Sequence, residues 1–178
     1  MITPVFRFLL SKSRWNLNEY KLNPDIYLKQ SIYDLSPESD NISVFEIKDA
    51  GENSISELEV ISFLFSASTR QSPNKLFYVD LAEPEIIALG LKIRHNPATS
   101  NLDFLFYSER HYEIYPVTDN ERILIAKLIF NKLENLYNGN LPFIPKNRFK
   151  DLLTIIYQDE RLIGLNKENL HSWATAQT

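Results

Sequence analysis

The densest polar and aromatic run in the sequence is Glu109-Arg110-His111-Tyr112-Glu113, and Arg94-His95 lies shortly before it. On a strand, alternate residues face opposite ways. His111, Glu113 and Tyr115 would then share one face, and Arg110, Tyr112 and Ile114 the other. A histidine beside a carboxylate is equipped to act as a general base or a metal ligand. Arginines next to tyrosine and histidine can hold an anionic or aromatic ligand. Arg94, His95, Arg110, His111 and Glu113 are therefore the expected residues of a small-anion site. Two histidines without a third ligand at defined spacing make a poor metal signature. The stronger competing expectation is a solvated sheet face with cross-strand charge pairs.

A second set is Glu46-Ile47-Lys48, with Pro24-Asp25 upstream. Residues two apart on a strand share a face, so Glu46 and Lys48 would point toward one place. This pattern resembles the motif of the PD-(D/E)xK nuclease superfamily over residues 25 to 48. The resemblance implies Asp25 and Glu46 as Mg²⁺ ligands and Lys48 as the lysine that positions or activates the attacking water. Two oxygen ligands suit a water-rich Mg²⁺. Mg²⁺ and nucleic acid enter only with this resemblance. The same spacing recurs at Glu19-Tyr20-Lys21, and the stronger competing expectation is an exposed strand end carrying an intrastrand Glu/Lys pair.

Other chemistries are argued against by composition. The sequence has no cysteine, which removes disulfides, a thiol nucleophile, thiolate zinc sites and cysteine-held clusters. Its four glycines (Gly51, Gly90, Gly139, Gly164) are isolated, whereas phosphate-binding loops cluster theirs. No Gly-x-Ser-x-Gly elbow occurs. Net charge is −4, which argues mildly against binding nucleic acid through its phosphates. Near the end, Lys146, Arg148, Lys150, Arg161 and Lys167 accompany Phe149 and Tyr157, but interspersed acids suggest a solvated helix face. His171 and Trp173 are expected to dock the tail.

The elements that would position these residues follow from periodicity. Strands are expected at Val5–Leu10, Ile42–Lys48 and Leu76–Leu81, and a meander at 91–117 from Leu91–Arg94, Leu102–Tyr107 and Arg110–Val117. Helices are expected at 56–69 behind a Ser54/Glu57 capping box, at 119–137 behind Thr118/Glu121, and at 147–158. A short helix opens at Pro84-Glu85, and a weaker one is expected near 167–176. Residues 11 to 40 read as irregular, with a short strand at Tyr27–Leu35 between two turns.

At 178 residues, 44% hydrophobic, the chain is long and apolar enough for one globular domain. Its strands meet in hairpins rather than alternating with helices. That predicts an α+β fold, with helices covering one face of a mainly antiparallel sheet. The run Val5–Leu10 lacks the features of a signal peptide, and no segment reaches the roughly 20 apolar residues that span a bilayer. The expected setting is cytoplasmic, without a membrane. The leading functional expectation is a non-enzymatic protein-binding or accessory protein, whose partner is another protein or a second copy of the chain. Its Tyr-rich composition is of the kind interfaces favour.

Overall fold

In the computed structural model, residues 5–9, 11–35, 39–48, 56–69, 75–97 and 109–155 are described. Branched and aromatic runs bounded by turn residues form the strands, as their propensity dictates. These are β1 (Val5–Leu9), β2 (Ile42–Glu46), β3 (Leu76–Leu81), β4 (Lys92–His95), β5 (His111–Tyr115) and β6 (Phe143–Ile144). They join in one sheet of order β4-β5-β2-β1-β3-β6, and every neighbouring pair is antiparallel. The fold is α+β.

β4 pairs directly with β5, with Arg94 opposite Glu113 and His95 opposite Tyr112. The segment 102–107, expected as a strand between them, lies outside the described residues.

The helices are α1 (Leu17–Leu22), α2 (Pro24–Ser31), α3 (Glu57–Thr69), α4 (Glu83–Ala88), α5 (Asp119–Asn135) and α6 (Lys146–Ile155). They cover both faces of the sheet. Ile42, Val44, Val79, Leu81 and Ile114 form one core with Trp15, Leu28 and Ile86, and with Ile125, Ile129, Phe130 and Leu133 of α5. Phe45 points the other way and meets Phe65 of α3, their ring centroids 6.2 Å apart. Arg148 of α6 binds Glu59 of α3 at 2.6 Å, which ties α6 to that side. A helix layer on one face only would have left either Val44 or Phe45 in water; both are buried.

Residues 11 to 34 are helical, not irregular. A 3-10 turn at Lys12–Trp15 precedes α1, and another at Ile32–Asp34 follows α2. The expected strand at Tyr27–Leu35 is instead α2 running into that second turn. Asn23-Pro24-Asp25 starts this helix, with proline in its first turn and Asp25 at its positive end. Asp34 then anchors the segment. Its buried carboxylate accepts from Trp15 Nε1 (2.8 Å), Arg14 (2.8 Å) and the Ser11 amide (3.1 Å).

Candidate functional site

β2, β4 and β5 bring Glu46 and Lys48 of one sequence-predicted set close to the Arg94/His95 and Arg110–Glu113 set at one end of the sheet, without Asp25. Glu46 and Lys48 form an ion pair at 3.2 Å, and the Tyr112 hydroxyl donates to Glu46 at 3.3 Å. His95 lies against Tyr112, ring centroids 4.9 Å apart. The four side chains thus make a connected line, His95–Tyr112–Glu46–Lys48. Burial first, then the negative charge and hydrogen bond of Glu46, push the Tyr112 phenol above its ordinary pKa.

On the opposite face of β4 and β5, Arg94 clasps Glu113 through Nε (3.1 Å) and a terminal nitrogen (2.8 Å). The same guanidinium sits 4.3 Å from the Tyr115 ring centroid. The hydrogen bond to Glu113 raises the Arg94 pKa. His111 packs on Phe45 and meets the Asn96 carbonyl through Nδ1. A carbonyl only accepts, so Nδ1 carries the hydrogen. The two histidines are neighbours in register but face opposite ways, so no site combines them.

Arg110 reaches α3, where it binds Glu57 at 2.8 Å. Burial disfavours its charge, but Glu57 and the fields of Glu46 and Glu109 outweigh that and raise its pKa. Glu57 also accepts from the Lys48 amide at 2.6 Å. It is free to do so because the cap of α3 is formed by Ser56 and Glu59, two residues later than the expected Ser54 and Glu57.

This arrangement closes charges on one another. Lys48 pairs with Glu46, Arg94 with Glu113 and Arg110 with Glu57. Arg94 and Arg110 are held by different carboxylates, and an anion entering here would have to compete with one already in place. Asp25 sits exposed on the first turn of α2, and no hydrogen bond or ion pair among the described residues joins it to Glu46 or Lys48. Among those residues, no three His, Asp or Glu side chains are grouped to hold a metal ion.

Sequence reading under-weighted Glu57 and Asn96. Glu57 looked like a helix cap, and Asn96 contributes only a backbone carbonyl. Further along, Arg148 of the basic tail is spent on Glu59 and Phe149 is buried, while Lys146 and Lys150 are exposed. Arg161, Lys167, His171 and Trp173 lie outside the described residues. No helix among the described residues is long and apolar enough to cross a membrane. No known family model matches the chain, and neither a curated protein nor a solved structure is significantly similar to it.

Proposed function

We propose that this chain is a non-enzymatic protein-binding module whose preferred partner is a second copy of itself. The observation that carries the reading is a concentration of exposed apolar side chains on one group of helices. Leu22 is 74% exposed, Tyr33 63%, Leu136 62% and Ile26 56%. All four lie on α1, α2 and its following turn, or the end of α5. An ion pair between Lys21 and Glu134 ties α1 to the last turn of α5. Scattered apolar side chains are normal on a surface, but a group on adjoining elements marks an interface.

Charge pattern favours a like partner. α2 carries Asp25 in its first turn and Lys29 in its last. Two such helices laid antiparallel about a two-fold axis set acid against base at both ends, as a self-complementary interface requires. The internal pairing of Lys48, Arg94 and Arg110 supports the same reading, since it leaves the polar sheet end structural rather than catalytic.

Size-exclusion with light scattering over a wide concentration range tests this. Dimer is expected in the wild type. Leu22→Asp with Ile26→Asp should weaken association at least about 100-fold, since burying each such side chain is worth roughly 1.5–3 kcal/mol. The unfolding midpoint of the monomer should not fall, because both side chains are already in water. A wild type that stays monomeric throughout, or a double variant that associates normally, refutes the proposal.

A further inference from the structure

A second, chemically different surface lies at the other end of α1. The turn at Lys12–Trp15, the start of α1 and the loop 138–140 after α5 border an open cleft of about 650 Å³. That volume lies within the ordinary range for small-molecule sites. Gly139, at φ +78°, turns the loop so that its neighbours Asn138 and Asn140 both line the cleft, with Asn16 and Asn18 on the other wall.

The lining has a definite sign and chemistry. It contains one charged side chain, Lys12, and no carboxylate. Lys12 makes no ion pair among the described residues; its ammonium lies 5.9 Å from the Phe77 ring centroid. The side-chain amides of Asn18 and Asn138 make no hydrogen bond with any described residue. Asn16 uses its oxygen to accept from the Asn18 and Glu19 amides, which leaves its NH₂ for the cleft. Amides offer donors and acceptors together, the complement of hydroxyl groups, while a single ammonium calls for one anionic group.

We propose that this cleft binds a small anion bearing several hydroxyl groups, a sugar phosphate or a sugar acid. Its charge would rest on Lys12 and its hydroxyls on the asparagine amides. Arg94 and Arg110, the cations first expected to hold an anion, are bound to Glu113 and Glu57; Lys12 has no such competitor among the described residues.

Calorimetric titration of the full chain with glucose 6-phosphate, glucuronate, glucose and inorganic phosphate tests the proposal. One of the two hydroxylated anions should bind at least tenfold more tightly than glucose or phosphate. Lys12→Ala should weaken it about 10- to 100-fold, the value of a charge-assisted hydrogen bond. Asn18→Ala should weaken it about 2- to 10-fold, the value of a neutral one. Both positions are exposed, so circular dichroism should show wild-type folding. In an amide ¹H–¹⁵N spectrum the ligand should move the signals of residues 138 to 140. The idea is overturned if neither anion binds at about 10 mM, the level of a very weak complex. It is equally overturned if inorganic phosphate binds as tightly, if Lys12→Ala binds normally, or if the shifts centre on Arg94 and Arg110.

Discussion

Replacing Asp34 with alanine should be among the most damaging single changes to this protein's stability. The Asp34 side chain is fully buried, with 0% of its surface exposed, and one of its partners, Trp15, is only 2% exposed. Without the carboxylate, Trp15 Nε1 becomes a buried donor with no acceptor, at a cost of about 1–3 kcal/mol. The half-buried Ser11 amide loses its acceptor too and partly regains water. Arg14 is 40% exposed, so its loss is close to that of a surface pair, about 0–1 kcal/mol. With the small cavity left behind, the total is about 3–5 kcal/mol. Urea unfolding reads this directly. With a slope near 2 kcal/mol/M, the midpoint should fall by roughly 2 M. Asp34→Asn can keep the one oxygen that accepts from both Trp15 and the Ser11 amide but then turns an NH₂ toward Arg14, so it should fall in between. Arg14→Ala should shift the midpoint least. If Asp34→Ala costs no more than Arg14→Ala, the carboxylate is not what anchors residues 11 to 34, and the reasoning fails.

Two further predictions concern charges that join elements. Burial alone would raise the Glu59 pKa, but the hydrogen bonds from Arg148 and Ser56 and the charge of Arg148 bring it below its ordinary value. A lowered folded-state pKa stabilises the fold above the unfolded pKa, and this is lost as pH falls through the folded one. Glu59→Gln should therefore be less stable than wild type at neutral pH, and urea midpoints should converge as pH drops below the ordinary glutamate range; a gap that persists in strong acid contradicts this. Lys132 is a buried ammonium held by Glu85 (2.9 Å) and Asp80 (3.3 Å), both about one-third exposed. Its carboxylate partners can return to water, so Lys132→Met, which keeps the stem's volume, should change stability by less than about 1.5 kcal/mol. Lys132→Ala should cost more, and equal thermal midpoints for the two variants would show that the stem does not pack.

The strands were legible because local chemistry and tertiary context agree there. Ile42–Glu46 and Leu76–Leu81 are β-branched and aromatic runs between turn residues, and Thr118 with Glu121 marks the start of α5 at the predicted residue. Residues 11 to 34 were not legible because α1 and α2 are too short to be stable alone. They hold because Trp15 and Leu28 pack into a core completed by Phe130 and other distant residues, and because Asp34 ties Ser11, Arg14 and Trp15 together. Asn23-Pro24-Asp25 did carry a helix-start signal, and a turn competes for the same residues. Likewise Glu46 and Lys48 could be paired from their spacing of two. The link between Glu57 and Arg110 spans 53 positions, and no local pattern announces it.

The place of β1 also bears on how the chain is made. It leaves the ribosome before the other five described strands, yet it lies inside the sheet, bonded to β2 on one side and β3 on the other. Its second neighbour, β3, begins roughly 70 residues later, a wait of several seconds at about 5–20 residues per second. During that interval an apolar strand has at least one bare edge, the kind of template that recruits a second nascent chain or a chaperone. Deleting β1 would not trim a border. It would part β4-β5-β2 from β3-β6, leaving two ribbons where one sheet had been.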